Sequence, residues 1–127
     1  MKLNLPVTQH EKPFTRGAIV TKTNLKGVIT YANDAFIEIS GFERDELIGA
    51  SQNILRHPDV PPCIFEDMWL TLKHGDTWKG VVKNRCKNGD HYWVSAFIVP
   101  VKQDGQTTGY MSVRTPASRA DISAAEA

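Results

Sequence analysis

The apolar pattern of the chain has three parts: short strand-like runs, a broken helical middle and long strand-like runs. Apolar and β-branched residues dominate 18–23 and 27–31, with a turn-like Asn-Leu-Lys-Gly sequence between them. This arrangement predicts an opening hairpin of two short strands. Asn33 and Gly41 are typical boundaries of a helix, so one short helix is expected between them and another over residues 44–48.

The second half of the chain changes from a helical to a strand-like period. Five apolar residues recur at three- and four-residue spacings and predict an amphipathic helix that ends at Gly75: Ile64, Phe65, Met68, Trp69 and Leu72. Runs at 78–85, 91–101 and 107–114, joined through Asn-Gly and Asp-Gly turns, predict three long antiparallel strands. The element order predicts an α+β domain: a five-stranded antiparallel sheet with short helices over one face and a cup between the layers.

The length and the ends of the chain indicate one domain with two extensions. A chain of 127 residues is long enough for a single core, which we assign to residues 18–116. Residues 1–17 contain two prolines and no steady period, which predicts an extended N-terminal arm, available to pack on a neighbouring subunit. Residues 117–127 are rich in Ala, Ser and acidic residues and predict the start of a C-terminal linker helix.

Composition narrows the classes of partner. The chain has 15 Lys and Arg against 14 Asp and Glu, so net charge gives no argument for nucleic acid or an anionic membrane. Cys63 and Cys86 are isolated, which favours a reducing compartment over a disulfide framework or a zinc site. No apolar run approaches the ~20 residues that cross a bilayer. We therefore expect a soluble, cytoplasmic domain whose only membrane attachment lies in segments outside this chain.

The segment Asn53–Pro62 concentrates charged side chains in an irregular turn. It places Arg56, His57 and Asp59 between apolar stretches, and its prolines prevent one continuous helix. Charged groups on a rigid turn suit ligand capture. The structural alternative is a solvated connector in which Asp59 caps a helix that begins near residue 60 or 61. The residues alone leave both interpretations open.

Alternation along the strand 78–85 predicts which side chains face the cup. One face carries Trp78, Gly80, Val82 and Asn84, and we expect it to be the inward one. An inward Asn84 is costly unless its amide is hydrogen-bonded, either to a ligand or to backbone near the hairpin. Trp69 and Trp78 are suited to stacking on a flat ring, although ordinary core packing explains them equally well.

Several residues in the helical middle reproduce a known pattern. The motif N-x-x-F…G-[FY]…E-L-x-G, typical of PAS sensor domains, matches Asn33, Phe36, Gly41, Phe42, Glu46, Leu47 and Gly49. The segments RHPDVP, FEDMWLTLK, VKNRCKNGDHYWV and GYMSVRT resemble more closely the flavin-binding PAS domains of bacterial aerotaxis receptors. Together these matches span most of residues 27–115. The resemblance implies a PAS fold that binds FAD noncovalently in the cup.

The resemblance also implies roles for individual residues. Asn84 would bond the flavin ring edge, with Trp78, then Trp69 and more weakly Phe65 beside it. The diphosphate would be held by the loop residues, Arg56 and His57 as donors and Asp59 orienting them or binding a ribose hydroxyl. Asn33 is more simply a helix cap than a ligand contact. Arg114 falls where light-sensing relatives place a glutamine that reports flavin chemistry. If inward, its charge would favour the anionic reduced flavin and raise the midpoint potential.

The implied function is redox or oxygen sensing in a chemoreceptor. Flavin reduction would change the hydrogen bonds around the ring and shift the strands, with the N-terminal arm and the helix after Thr115 as outputs. The expected partners are a second copy of the chain, downstream regions of the receptor and, through them, the chemotaxis kinase complex. Gln52 occupies the position of the photoreactive cysteine of light-sensing relatives, so no thiol adduct is expected. No hydrolytic or nucleotide-binding motif favours an enzyme.

Two alternatives remain open at this point. PAS domains also hold haem, and His57 would be the candidate axial ligand of such a gas sensor. The other alternative is a ligand-free dimerisation module whose cup is filled by its own side chains.

Overall fold

The computed structural model describes residues 6–126, and the predicted arm therefore lies partly outside the described residues. The elements in chain order are β1 (Ile19–Asn24), β2 (Ile29–Ala32), α1 (Asp34–Ser40), α2 (Arg44–Leu47), a 3-10 helix (Gln52–Leu55), α3 (Pro62–Lys73), β3 (Trp78–Arg85), β4 (His91–Gln103), β5 (Gln106–Pro116) and α4 (Arg119–Glu126). None of the helices in this part of the chain is long and apolar enough to span a membrane.

The five strands form one antiparallel sheet in the order β2-β1-β5-β4-β3. The predicted α+β class and strand number are confirmed. The β4–β5 turn has positive φ at both Asp104 and Gly105, as a tight hairpin turn requires. The β3–β4 connection is longer, and its Gly89 has φ +92°. The three long strands therefore provide a continuous floor, with the earliest strands added at the β5 edge.

The core joins the inward face of the sheet to the helices. Phe36 of α1 and Leu72 of α3 pack with inward strand residues such as Ile19 and Val94, all of them fully buried or nearly so. The helix α3 begins at Pro62 behind Pro61, and no side chain caps it. The interpretation of Asp59 as its cap is therefore wrong. Proline favours the first turn of a helix without a cap because it lacks the N–H that a cap would satisfy.

The N-terminal arm packs on its own subunit. Its backbone bonds the β3–β4 hairpin through Thr8 to Gly89 (2.9 Å) and Lys12 to His91 (2.7 Å). Phe14 meets the Tyr92 ring edge-on at 6.4 Å. The helix α4 lies beside β3 and buries Ile122. Contact of the arm with a neighbouring subunit, and the division of the chain at residues 17 and 116, stay predictions.

Candidate functional site

The cup lies between the inward face of the sheet and the segment that runs from the 3-10 helix into α3. Its open volume is about 50 Å³. Of the nine residues that the sequence predicts for a cofactor site, six line it: Arg56, Phe65, Trp69, Trp78, Asn84 and Arg114. The cup therefore brings together six predicted residues that extend from Arg56 to Arg114 in the sequence.

The floor of the cup follows the predicted alternation of β3. Trp78, Val82 and Asn84 are buried, whereas Lys79 is exposed, so the inward face is confirmed. Asn84 is only 7% exposed, and its amide nitrogen donates to no group in the described part of the chain. The amide donor is therefore not used to pin the nearby hairpin. A buried amide without a partner is unfavourable, which marks this point of the floor as a place for a polar ligand.

A further buried polar group lies opposite Asn84. Tyr92 faces it across the β3–β4 pair and is fully buried, and its hydroxyl has no hydrogen-bond partner among the described residues. Burial raises the pKa of Tyr92, so the phenol stays neutral. Sequence reasoning missed this residue because it read alternation along β3 alone, and the register of β3 with β4 places Tyr92 on the same inward face.

Arg114 is a buried cation without a counter-charge. It is 3% exposed, and one of its terminal nitrogens has no hydrogen-bond partner. It forms no ion pair with an acidic group between residues 6 and 126, and its guanidinium lies 6.0 Å from the Phe36 ring. Desolvation lowers the pKa of Arg114. An unpaired buried charge is costly, so this position favours an anionic or electron-rich partner.

Three buried hydroxyl groups on β1 and β5 also lack hydrogen-bond partners among the described residues. Thr21 and Thr23 of β1 and Ser112 of β5 are buried on the inward face, and their oxygens have no partner among the described residues. Thr21 and Ser112 are directly opposite each other in the sheet. Applying the two-residue period to β1 and β5 would have found them. The inward face thus carries more polar groups than its own side chains satisfy.

Aromatic side chains close the cup. The Trp78 indole donates to Asp67 on α3 (3.0 Å), and its ring lies over Gly80, where any Cβ would collide with it. Trp69 meets Tyr110 edge-on with ring centroids 5.4 Å apart. Glycine is unfavourable inside a strand, and Gly80 is explained here by the close approach of the Trp78 ring. The Trp78–Asp67 bond therefore joins the sheet to α3 across the cup.

Of the charged residues on the loop, Arg56 lines the cup, whereas His57 and Asp59 do not. Arg56 lines the cup and stacks its guanidinium 4.3 Å from the centre of the Phe65 ring. His57 is 1% exposed and packs edge-on against His91 at 5.9 Å, and its Nδ1 accepts from the Asp59 backbone (3.1 Å). Desolvation and the nearby Lys83 lower the pKa of His57 to about 4. His57 does not line the cup.

Asp59 and Asn33 also lie away from the cup. The Asp59 carboxylate accepts from Lys83 (2.9 Å), and this bond lowers the pKa of Asp59. Asn33 caps α1 by accepting from the Phe36 backbone (3.2 Å) and donates its amide to the Ala18 carbonyl (3.0 Å). Both ends of the Asn33 side chain are therefore used within the fold, in agreement with the capping interpretation.

The remaining chemistry of the described residues is limited. Cys63 and Cys86 are free thiols. Cys86 donates to the Ile39 carbonyl, and burial raises the pKa of Cys86 to about 11. Within residues 6–126, no group of three His, Cys, Asp or Glu side chains is placed to hold a metal ion. No histidine lines the cup, so His57 is not positioned as an axial ligand for a haem there.

The chain is similar in sequence to a receptor and to a regulatory protein. It is 49% identical over 121 residues to the aerotaxis receptor of Escherichia coli strain K12, a match that covers 94% of this chain and 24% of that receptor. It is 29% identical over 96 residues to the nitrogen fixation regulatory protein of Klebsiella pneumoniae, covering 75% of this chain and 19% of that protein. The chain thus spans about a quarter or less of the relatives that it matches.

The fold is also found in solved structures and in a family model. The dark structure of the blue-light photoreceptor Aureochrome1 LOV superposes with a TM-score of 0.74 at 19% identity, covering 80% of this chain and 77% of that one. The family model described as PAS fold matches residues 29–114. Because this match includes more than half of the chain, the chain belongs to the PAS family.

Proposed function

We propose that this PAS domain binds FAD noncovalently in the cup and serves as the redox sensor of an aerotaxis-type chemoreceptor, without turning over a substrate. The observation that carries the proposal is that the Asn84 amide and the Arg114 guanidinium, which both line the cup, are buried and have atoms without a partner among the described residues. The identity of 49% to an aerotaxis receptor supports the receptor class. The resemblance to flavin-binding members of that class supports the cofactor.

The polar lining fits the edge of a flavin ring. An isoalloxazine edge offers alternating donors and acceptors, and when bound it supplies electron and proton uptake. Asn84 provides a donor that has no partner among the described residues, and the neutral Tyr92 lies opposite Asn84 on the neighbouring strand, behind the lining. Arg114 provides a positive charge that stabilises negative charge on its neighbour, and therefore raises the midpoint potential of that neighbour. Asn84 and Arg114 can respond to a change in ring protonation because their unpaired atoms have no hydrogen-bond partner in the described part of the chain.

The size of the cup requires movement on binding. Its open volume of about 50 Å³ is far below the ~300–1,000 Å³ of most ligand pockets, so side chains around it must shift to admit a ring. Trp78, Trp69 and Phe65 form the walls nearest α3. We propose that they separate and stack on the ring. His57 and Asp59 then act by fixing the loop that carries Arg56, since the His57 side chain packs on His91 and the Asp59 side chain bonds Lys83, and neither lines the cup.

The output passes through the two ends of the chain. Glu11 of the arm pairs with Arg119 of α4, and the same carboxylate lies 3.9 Å from the His91 imidazole. His91 packs on His57 in the loop that carries Arg56. A shift of this loop therefore reaches the arm and α4 through direct contacts, and a coupling of ~1–3 kcal/mol is typical of such changes. We propose a homodimer in the cytoplasm that signals to downstream receptor regions and through them to the chemotaxis kinase complex, with no role for nucleic acid.

One specific observation favours a second candidate. The small volume of the cup is also what a ligand-free dimerisation module would have, its interior filled by Trp69 and Trp78. Such a module explains neither the unpaired Asn84 amide nor the uncompensated charge of Arg114. A haem sensor is favoured by no observation, because the cup lacks a histidine.

Variants of the wall test the proposal. Arg56→Ala and Trp78→Ala should each lower the amount of flavin that copurifies, and Asp59→Ala should lower it less because Asp59 acts through the loop. Trp78→Phe keeps an aromatic wall and covers the case in which Trp78→Ala fails to fold. Lys79→Ala, an exposed lysine on the other face of β3, is the matched control. Wild-type flavin stoichiometry in all the wall variants, with circular dichroism unchanged, would place the cofactor elsewhere.

A further inference from the structure

A second groove adjoins the cup at its outer end. Its volume is about 310 Å³ and it is open to solvent. It shares three lining residues with the cup, Gln52, Asn53 and Trp69, so the two spaces adjoin at these residues. A ligand with a ring in the cup and a polar extension would pass between these three residues into the groove.

The groove is positively charged. Lys26 and Lys73 line it from opposite elements, the β1–β2 turn and the end of α3, and no acidic residue lines it. Neither lysine forms an ion pair with an acidic side chain of the described chain. Two cations without partners, beside hydroxyl and amide side chains, suit a phosphorylated ligand. The exposed Leu25 and the Trp69 ring add apolar surface for a flat group.

The backbone around the groove is fixed by hydrogen bonds. The Asn24 side chain accepts from the Lys26 and Val28 backbones (2.9 and 3.1 Å), which holds the turn. The Gln52 backbone donates to the Gly27 carbonyl (2.9 Å). Gly27 has φ +81°, and a Cβ there would touch the Trp69 ring at 3.7 Å. The turn that carries Lys26 is therefore held against Gln52 and Trp69, and the groove is preformed.

The loop to which the family resemblance assigns the diphosphate is less suited to that role. His57 is buried against His91, and Asp59 is paired with Lys83 on the opposite side of the domain. Of the three predicted groups, only Arg56 lines the cup. Its guanidinium is stacked on Phe65 and does not line the groove. The two lysines are thus the charged side chains that the groove offers to a phosphate.

We infer that this groove binds the diphosphate and nucleoside half of a dinucleotide whose ring lies in the cup. Lys26 and Lys73 neutralise the two phosphates, and the nucleobase lies against Trp69 and Leu25. The inference rests on the proposed function, since it names where the second half of that cofactor binds. It predicts that selectivity for FAD over smaller flavins resides in the lysines and not in the charged loop.

The test compares ligands that contain one half or both. Flavin-free protein is titrated with FAD and with riboflavin, for the wild type and the double variant Lys26→Ala/Lys73→Ala. The double variant should bind FAD about tenfold more weakly, since each exposed charge contributes modestly. Its affinity for riboflavin should stay within about twofold of the wild type. Lys79→Ala, an exposed lysine outside the groove, should leave both affinities unchanged. Equal losses for the two ligands, or no loss for FAD, would overturn the inference.

A second measurement does not depend on a flavin. ADP alone, added to ¹⁵N-labelled protein, should shift the backbone amides of Lys26, Gly27 and Asn53, and the double variant should lose these shifts. If riboflavin binds but ADP shifts none of these amides, the groove assignment fails while the proposed function stands. If ADP shifts them but no flavin binds, the proposed function fails and the groove remains a nucleotide site.

Discussion

The floor of the cup and the junction between the arm and the β3–β4 hairpin differ in how their polar groups are hydrogen-bonded. At the junction, Asp90 accepts from Thr8 (2.7 Å) and Asn88 (3.1 Å) and bonds His10, and Lys12 donates to two α1 carbonyls. On the floor, Asn84 and Arg114 are buried, and each has an atom without a hydrogen-bond partner among the described residues. Because burial makes each unpaired group unfavourable, the floor is where a polar ligand would stabilise this fold most.

The two charges at the centre of this contrast should respond to mutation with opposite sign. Arg114→Met removes an uncompensated buried charge, and we expect the flavin-free protein to become more stable by ~1–4 kcal/mol. Lys12→Met removes two satisfied hydrogen bonds and should lower the free energy of unfolding by ~1 kcal/mol. Urea denaturation of both variants measures the change in the free energy of unfolding. A less stable Arg114→Met protein would mean that the fold already compensates that charge.

The pH dependence of stability tests the boundary between the two regions, where His57 and His91 meet. The pKa of His57 is lowered to about 4 and that of His91 is also lowered, chiefly by desolvation. Between pH ~6.5 and ~4 the unfolded chain therefore binds more protons, and the free energy of unfolding falls as the pH falls. For His57 this loss reaches about 3 kcal/mol.

Denaturation curves recorded across this pH range give the measurement. His57→Gln should flatten the acid-side slope, whereas His74→Gln, at an exposed position after α3, should leave it as in the wild type. An unchanged slope in His57→Gln would show that His57 does not account for the acid sensitivity.

The substitution Asn84→Leu tests whether the cup floor hydrogen-bonds the flavin ring. Leucine is similar in size but cannot hydrogen-bond, so it removes the unpaired donor without opening a cavity. We expect flavin-free stability to stay within ~0.5 kcal/mol of wild type or to rise. Flavin affinity should fall by ~1–3 kcal/mol, which corresponds to ~5- to 150-fold. Fluorescence titration with riboflavin measures this, and wild-type affinity would show that the ring edge does not meet Asn84.

The smallest effect is expected at the surface link between the arm and α4. Glu11→Gln weakens the pair with Arg119, and exposed pairs contribute ~0.2–1 kcal/mol. Hydrogen exchange should increase in residues 119–126 and in the arm, with no change in β2. Lys22→Gln, on β1 outside this link, is the control. Exchange that stays as in the wild type would mean that Ile122 alone holds α4.

The sequence alone was sufficient to predict most of the strands of the sheet and the helix α3. Period-2 runs and glycine turns located the long strands, and the stripe that contains Met68 and Leu72 located α3, because these patterns depend on local geometry. The inward position of Asn84 followed from the same alternation. Tyr92 and Ser112 required the register between strands, which brings together residues far apart along the chain.

The charged loop was harder to predict for a physical reason. On an irregular turn, the direction of each side chain is set by its tertiary partners and not by a period. Asp59 turns toward Lys83, 24 residues away, and His57 toward His91. Neither partner is visible from the loop sequence, which by itself leaves ligand capture and a solvated connector equally open. The groove lined by Lys26 and Lys73 was missed because its residues carry no motif and come together only in the folded chain.

The absorption spectrum of the purified protein, followed by denaturation and identification of the released chromophore, tests the central claim most directly. The account predicts flavin bands that bleach on reduction, and about one FAD per chain released by denaturation without proteolysis. A folded, colourless protein that takes up no added flavin, or a Soret band in place of the flavin bands, would contradict it.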